Sequence, residues 1–223
     1  MFISCNLCGF PLIRINSTIF GLRCIKCRST FIHRAMGDVL NSFSFDPNLK
    51  VHEFSKHGAI FKYLSKCFPS LTYSEYYDDT PSGQFKAGVQ CQDLQNLSFE
   101  DNKFDLMTST EVFEHVPDDA KGYSEVLRCL KPNGYFIFTV PLNLGQSTTQ
   151  QRAKIENGEL VHILSPEYHG DHLRNKGILA FRNYGTDIKL LLESIGFAKV
   201  ELRLIDKPAL GIAPPKYVII AQK

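Results

Sequence analysis

The strongest constraint on the fold is an alternation of short apolar segments with amphipathic helical segments between residues 51 and 141. Apolar runs predict strands at residues 51–54, 71–74, 88–94, 104–109 and 135–141. Strands that alternate with helices form a parallel sheet covered by helices on both faces. After an interruption, a helix at 187–195 precedes strands at 198–204 and 217–221, whose Pro- and Gly-rich connection predicts a terminal antiparallel hairpin. The predicted fold class is therefore α/β, with a doubly wound, mostly parallel, seven-stranded sheet.

Three of the predicted strands deliver an acidic residue to their carboxyl end. Glu53 ends the first strand, Glu75 follows 22 residues later, and Asp93 comes after the third strand. Because the carboxyl ends of parallel strands meet at one edge of the sheet, these acids should lie close together. An acid about 20 residues beyond the first turn is placed to bind the two hydroxyl groups of a ribose. We therefore expect a site for a nucleoside-containing ligand at this edge.

Two longer stretches are more specific. They are Phe104-Asp-Leu followed by Glu111-Val-Phe-Glu-His115-Val-Pro, and Val126-Leu-Arg-Cys-Leu-Lys-Pro-Asn-Gly134. With these stretches, residues 51–141 resemble the class I S-adenosylmethionine-dependent methyltransferases of type 11, which have a Rossmann-like sheet. The resemblance implies S-adenosylmethionine as cofactor. Carried over by position, it implies that the methionine amino group is bound near Glu53, the ribose by Glu75, the adenine by Asp93 and Leu94, and the methionine end by Ser109, Thr110 and Glu111.

The loop after the first strand departs from the glycine-rich pattern of that family. The three family glycines align with Ser55, His57 and Ala59, and Gly58 lies between the last two. Glycine permits positive φ and a close backbone approach to a ligand. We expect Ser55 and Gly58 to fulfil this role in binding the cofactor. The alternative is a non-catalytic scaffold whose cofactor loop has degenerated.

Four of the seven cysteines form two knuckles, Cys5-Asn-Leu-Cys8 and Cys24-Ile-Lys-Cys27, fifteen residues apart. This spacing is typical of a structural zinc site, and four thiolates close the coordination sphere of the ion. Disulfides and redox-active thiols are the alternatives, and His33 is a spare donor that could replace Cys27. Residues 1–34 are therefore predicted to be a zinc ribbon, and residues 35–223 the methyltransferase domain.

The charge is unevenly distributed, since residues 1–37 carry five basic and no acidic residues in a chain of net charge +2. A basic module of this kind favours either general solubility or an anionic partner such as RNA. The sequence shows neither a signal peptide nor a run of about 18 apolar residues, so we expect a cytoplasmic protein without membrane contact.

Residues 142–183 interrupt the predicted sheet on its carboxyl side and are rich in groups that exchange protons. We interpret His169 as a general base that Asp171 orients, with Arg152 as a weaker candidate for binding an anionic group. A metal pocket made of His162, His169, Asp171 and His172 is an alternative, and so is a solvated loop without catalytic function.

These features together predict an enzyme that methylates a hydroxyl group of a small molecule or glycan by in-line transfer from S-adenosylmethionine. An RNA methyltransferase that docks its substrate on the basic zinc ribbon is the alternative enzyme. The acceptor and the oligomeric state are not predicted from these residues.

Overall fold

The computed structural model describes residues 3–143, 145–171 and 173–223. Its centre is an eight-stranded sheet in the order β7-β8-β6-β5-β1-β2-β4-β3. The strands are β1 Val51–Glu53, β2 Thr72–Glu75, β3 Phe85–Lys86, β4 Val89–Cys91, β5 Phe104–Thr110, β6 Leu130–Thr139, β7 Lys199–Lys207 and β8 Ile212–Gln222.

The sheet is mostly parallel, as the sequence predicts. Strands β4, β2, β1, β5 and β6 run parallel, whereas β8 is antiparallel to both of its neighbours. All seven predicted strands are present, and β3 is an additional antiparallel edge strand. Its two residues, Phe85 and Lys86, are both exposed, so no alternation of buried and exposed residues marks β3 in the sequence.

Four helices cover the two faces of the sheet, and each face has its own hydrophobic cluster. They are α1 Phe31–Asn41, α2 Gly58–Cys67, α3 Asp119–Cys129 and α4 Ile188–Ile195. Helices α1 and α2 pack on one face with Leu106 and Ile137, and α3 and α4 pack on the other with Phe136 and Phe138. Because successive strand residues point to opposite faces, neighbouring residues of β6 enter different clusters. Within the described ranges, no helix combines the length and apolar character needed to cross a membrane.

The amino-terminal cysteine module packs directly on the sheet domain. Its short hairpin pairs Leu12–Arg14 with Leu22–Cys24. The buried Arg34 of α1 donates hydrogen bonds to the carbonyls of Leu22 (3.2 Å), Ser29 (2.8 Å) and Gly211 (2.8 Å). Helix α1 begins at Phe31, so the predicted boundary at residues 34 and 35 falls inside a helix that contacts both parts.

The described residues of the 142–183 insertion form three small antiparallel ladders. Gln150–Gln151 pairs with Arg182–Asn183, Ala153–Glu156 with Glu159–His162, and Tyr168–His169 with Ile178–Leu179. The buried Arg182 donates hydrogen bonds to the carbonyls of Phe113, Val116 and Pro117, at 2.6 to 3.0 Å. These bonds dock the insertion on the segment that follows β5.

Candidate active site

A cleft of about 600 Å³ lies at the carboxyl ends of β1, β2, β4 and β5, with the insertion along one side. Most of the residues predicted from the sequence line this cleft. They are Glu53, Ser55, Gly58, Glu75, Asp93, Leu94, Thr110, Glu111 and Asp171. The strand ends therefore meet as the alternating pattern predicts.

Glu53 is a buried carboxyl group at the end of β1. Its Oε2 accepts a hydrogen bond from the hydroxyl of Thr108 on the neighbouring strand β5. Burial raises the pKa of Glu53 to about 8, the Thr108 hydrogen bond opposes this shift, and the charge of Glu75 adds to it. The side chain is thus mainly protonated at neutral pH, and a cationic group in the cleft would favour its ionised form.

Glu75 holds the loop after β1 in place. Its Oε1 accepts hydrogen bonds from the backbone amide of Lys56 (2.8 Å) and from the Ser55 hydroxyl (3.1 Å). Ser55 Oγ in turn accepts a hydrogen bond from the His57 amide at 3.0 Å. The acid at the tip of β2 and the loop after β1 are therefore a single hydrogen-bonded unit.

The glycine-poor loop makes its turn at Gly58. This residue has φ +90°, a conformation that few other residues adopt without strain, and it begins α2. His57 precedes the helix in an extended conformation, and its side chain is exposed at the cleft. The shift of the turn to Gly58 thus accommodates His57 without a positive φ at that residue.

Asp93 and Leu94 follow β4 at the far end of the cleft. Asp93 Oδ1 accepts a hydrogen bond from the Gln95 amide at 2.9 Å, which fixes a tight turn after the strand. Leu94 is buried against the same cluster as Phe54 and Phe113 while also lining the cleft. This end therefore offers a carboxylate beside an apolar wall.

Thr110 and Glu111 line the opposite end of the cleft, and Ser109 lies beneath it. Glu111 has φ +52°, which is unusual for a residue with a side chain. Its amide donates to the Thr139 carbonyl at 3.0 Å, and Oε1 lies 2.9 Å from Nζ of the buried Lys216. Ser109 points to the other face of β5, where its Oγ is buried and finds no hydrogen-bond partner among the described residues. The structure thus places Ser109 in the sheet interior, away from Thr110 and Glu111, with which the sequence grouped it for binding the methionine end.

His33 is a residue of the cleft that the sequence did not reveal. It belongs to α1, and its Nε2 would lie 3.6 Å from a Cβ at Gly58. Nδ1 accepts a hydrogen bond from the Thr30 amide at 3.2 Å, so the neutral ring carries its proton on Nε2. Burial, and then the charge of Arg23, lowers the pKa of His33 to about 4. The ring is therefore a neutral N–H donor at the Glu111 end of the cleft.

Three residues with acid/base groups converge beside the cleft, namely Glu114, His115 and His169. His115 lines the cleft, and the ring of His169 packs edge-on against it with ring centres 4.9 Å apart. Glu114 is fully buried, and its Oε1 lies 3.5 Å from His115 Nε2 and 3.6 Å from His169 Nδ1. The nearby carboxylate of Glu114 raises the pKa of His169, burial opposes this shift, and the carboxylate of Glu167 adds to it.

The other predicted groups of the insertion occupy separate positions. Arg152 lies 3.2 Å from Glu167 and donates to the Ser165 carbonyl, and His162 is exposed on an outer hairpin. His172 lies outside the described residues. The histidine that joins His169 in the structure is His115, which lies 54 positions earlier in the sequence.

The sequence assigned Asp171 to orient His169, but the carboxylates beside the two ring nitrogens of His169 are those of Glu114 and Glu167. Asp171 belongs to a polar contact that spans the cleft. It accepts a short hydrogen bond from Arg174, whose guanidinium also binds both carboxylate oxygens of Asp78 at 2.9 Å. The Arg174 guanidinium also lies 5.7 Å from the ring centre of Tyr76. Asp78 and Tyr76 directly follow Glu75, so Arg174 ties the insertion to the loop after β2.

The four knuckle cysteines also converge, outside the cleft. The Sγ atoms of Cys5, Cys8, Cys24 and Cys27 lie within 4.8 Å of one another, and none of the four residues forms a disulfide. Cys8 and Cys24 approach to 3.3 Å and Cys5 and Cys27 to 3.7 Å. Sulfur atoms bound to one tetrahedral zinc ion are ~3.8 Å apart, given a Zn–S distance of about 2.3 Å. The arrangement thus fits a zinc ion.

Comparison with solved structures identifies the fold. An S-adenosylmethionine-dependent methyltransferase from Mesorhizobium loti superposes with a TM-score of 0.55 at 16% identity, covering 85% of this chain and 98% of that one. A 1,6-didemethyltoxoflavin N1-methyltransferase from Burkholderia thailandensis, bound to its substrate and S-adenosylhomocysteine, gives 0.53 at 14% identity, covering 86% and 78%. The chain therefore has the fold of these methyltransferases.

Sequence comparison relates parts of the chain to a family model and to individual methyltransferases. Residues 60–138 match the family model of a methyltransferase domain. A stretch of 85 residues is 28% identical to the ubiquinone biosynthesis O-methyltransferase of Coxiella burnetii, covering 38% of this chain and 36% of that protein. A stretch of 115 residues is 30% identical to the demethylmenaquinone methyltransferase of Clavibacter sepedonicus, covering 50% and 46%. The chain thus spans about a third to a half of the length of these curated relatives.

Proposed function

We propose that the protein is an S-adenosylmethionine-dependent methyltransferase that methylates a hydroxyl oxygen of a small molecule. The observation that carries this proposal is the order of groups along one cleft, from Glu111 through Glu53 and Glu75 to Asp93. The methyltransferase fold and the match of residues 60–138 support the same activity.

Each end of the cleft suits one part of the cofactor. We assign the ribose hydroxyls to Glu75, whose carboxylate accepts hydrogen bonds, and the adenine to the Asp93 and Leu94 end. The buried carboxyl of Glu53 suits the ammonium group of the methionine part, since a nearby cation would offset the cost of its ionisation. Thr110 and Glu111 would bind the same methionine end, and Ser55 and Gly58 the intervening backbone.

The transfer itself requires alignment of the acceptor and exclusion of water. The acceptor oxygen forms a bond to the methyl carbon, the bond from carbon to sulfur breaks, and its electron pair remains on sulfur. We assign His169 as the group that receives the hydroxyl proton, because its ring packs against His115, which lines the cleft, and its Nε2 is held by Glu167 at 3.2 Å. Asp171 would act by fixing Arg174 over the cleft.

The relatives favour a small acceptor. Their names specify ubiquinone biosynthesis, tocopherol and demethylmenaquinone, and two of these three proteins are O-methyltransferases. We therefore propose a small acceptor with a hydroxyl group of the phenol type. Neither an RNA nor a glycan acceptor is named among these proteins.

We also propose that Cys5, Cys8, Cys24 and Cys27 hold a structural zinc ion. Four converging thiols are a donor set that zinc prefers, and they leave no open position for catalysis. Such an ion would stabilise the module by replacing the repulsion between neighbouring thiolates with four metal–sulfur bonds.

Calorimetric titration with S-adenosylhomocysteine tests the cofactor assignment. The wild-type protein should bind one equivalent, and Glu75→Gln should bind at least about tenfold more weakly, because a ribose bound to the charged carboxylate loses roughly 1.5–3 kcal/mol. Glu100→Gln, at an exposed glutamate away from the cleft, is the matched control and should bind normally. Absence of binding by the folded wild type would refute the proposal.

A methyl-transfer assay with phenolic acceptors tests the role of His169. His169→Ala should reduce kcat by about 10²–10⁴-fold, the usual contribution of a general base, without weakening S-adenosylhomocysteine binding. His162→Ala removes an exposed histidine of the same insertion and should leave turnover unchanged. Equal turnover of His169→Ala and wild type would exclude His169 from the reaction.

A further inference from the structure

Glu114 presents an unusual electrostatic problem. Its side chain is fully buried, and neither carboxylate oxygen has a hydrogen-bond partner among the described residues. A buried carboxylate without hydrogen bonds or a counter-charge is strongly unfavourable. The atoms that lie nearest to Oε1 in the cluster are the ring nitrogens of His115 and His169, at 3.5 and 3.6 Å. These separations are too long for good hydrogen bonds.

The tautomers of His115 and His169 leave Glu114 without a hydrogen-bond donor from either ring. His115 Nδ1 donates its proton to the Leu179 carbonyl at 2.8 Å, so its Nε2 directs a lone pair towards Glu114. His169 Nε2 faces Glu167 Oε1 at 3.2 Å and would donate to it, so its Nδ1 also directs a lone pair towards Glu114. Two lone pairs and a carboxylate that face one another repel, and either a proton or a metal ion between them would relieve this repulsion.

The spacing of the three donor atoms fits a metal ion. Ligands bound at about 2.1 Å to one ion are ~3.0 Å apart in octahedral and ~3.4 Å apart in tetrahedral geometry. Glu114 Oε1 lies at nearly the tetrahedral separation from both nitrogens. The second N–H of each imidazole is oriented by an oxygen, as is usual for histidines that bind metals.

We propose that Glu114, His115 and His169 bind a divalent transition-metal ion at the wall of the cleft. Two imidazoles and one carboxylate suit Zn²⁺ and related ions, and three protein ligands leave at least one position open. Since His115 lines the cleft, the open position is available to an acceptor oxygen. This inference rests on the proposed function for the nature of the acceptor, but the metal site itself does not.

The ion would change how the acceptor is activated. A hydroxyl bound to it loses its proton to solvent more readily, because the metal stabilises the oxyanion that then attacks the methyl group. In the metal-bound protein, His169 would be a ligand of the ion. The role of proton acceptor that we assigned to His169 above would apply only to the metal-free protein. The favoured acceptors are small molecules whose hydroxyl oxygen can reach the ion.

Titration of the metal-free protein with Zn²⁺ tests the proposal. We expect two equivalents to bind, one at the cysteines and one at this cluster. Glu114→Gln and His169→Ala should each lose the second equivalent or bind it at least tenfold more weakly, and Cys24→Ser should lose only the first. Glu167→Gln, which removes the carboxylate that orients His169, should weaken the second by about 10–100-fold. His162→Ala is the matched control and should retain both.

Thermal unfolding establishes that each variant is folded, and S-adenosylhomocysteine binding is measured separately. A wild type that binds no zinc beyond the cysteine site would overturn the proposal. So would a second equivalent that survives in both Glu114→Gln and His169→Ala. If zinc binds at the cluster while S-adenosylhomocysteine does not bind, the metal site stands and the proposed methyltransferase function fails. If S-adenosylhomocysteine binds while zinc does not bind at the cluster, the proposed methyltransferase function stands and the metal site is excluded.

Discussion

The buried carboxyl group of Glu53 should lower the stability of the folded protein at neutral pH while favouring the binding of a cation. Its pKa is raised from an ordinary value of 4.5 to about 8, mainly by burial, so the folded state retains a proton that the unfolded chain releases above about pH 4.5. The stability that this proton provides is fully present below pH 4.5 and is lost as the pH rises through 8. A cation bound beside Glu53 would offset that loss.

Replacing Glu53 with Gln should therefore stabilise the cofactor-free protein, and increasingly so between pH 5 and pH 8. The free energy of unfolding of the wild type should fall relative to Glu53→Gln by up to about 1.4 kcal/mol per pH unit in this window. Urea unfolding of both proteins at pH 5, 6.5 and 8 measures the difference. A difference that stays constant with pH would show that Glu53 ionises normally. Glu53→Gln should also bind S-adenosylhomocysteine more weakly.

His33 offers a second test at the residue scale. Its Nε2 carries the proton and lies near Gly58. There it can donate a hydrogen bond to the carboxylate of a ligand bound at the Glu111 end of the cleft. His33→Ala should weaken S-adenosylhomocysteine binding by about 2–13-fold, the value of one hydrogen bond of roughly 0.5–1.5 kcal/mol. Removal of the Thr30 contact could also destabilise α1, so thermal unfolding must accompany the titration. His33→Asn retains a donor and should restore part of the affinity, whereas equal loss in both variants would argue against a donor role.

At the scale of elements, the insertion is held across the cleft by Arg174. Its guanidinium binds Asp171 on the insertion and Asp78 after β2, and these contacts must open for a large ligand to leave. The pair with Asp78 is partly exposed, so its contribution to overall stability should be small. Loss of this pair should instead change the rate at which a ligand enters and leaves the cleft.

Arg174→Ala should accelerate dissociation of S-adenosylhomocysteine by several-fold while changing the unfolding temperature little. Stopped-flow displacement by excess cofactor measures the rate. Lys154→Ala removes another basic residue of the insertion, one that pairs with Glu156 on the outer hairpin, and should leave the rate unchanged. Identical dissociation rates for Arg174→Ala and wild type would show that the insertion does not control exit.

At the scale of the whole molecule, the cysteine module and the sheet share a core. Cys5, Leu7 and Cys24 belong to the same buried cluster as Leu106 and Val218. Leu7 also packs so closely on Gly37 that a side chain at Gly37 would overlap it. The module should therefore unfold together with the sheet domain rather than separately.

Removal of the proposed zinc ion should accordingly destabilise the entire chain in one transition. Calorimetric scans with and without a chelator should each show one peak, shifted down by several degrees in the chelated sample, with Cys24→Ser resembling the chelated wild type. Cys67→Ser changes a cysteine outside the cluster and should respond to chelator as the wild type does. Two separate peaks would show that the module is an independent domain.

The alternating pattern predicted the sheet and the acids at its edge because both follow from local periodicity and short connections. Glu53, Glu75 and Asp93 meet as expected because parallel strands leave their carboxyl ends at one edge. His33 and His115 could not be assigned in this way, since their positions depend on how α1 and the insertion dock. The pairing of Arg174 with Asp78 joins residues 96 positions apart and has no local signal.

The contact between Arg34 and Gly211 has a consequence for how the chain matures during translation. These residues are 177 positions apart, so the amino-terminal module emerges from the ribosome long before the hairpin on which it docks. At about 5–20 residues per second, synthesis separates the two by roughly 9 to 35 seconds. Throughout this interval the module can pack on α1 but not on the hairpin that carries Gly211. Early capture of the proposed zinc ion would hold the nascent module folded until strand β8 is made and the module can dock on it.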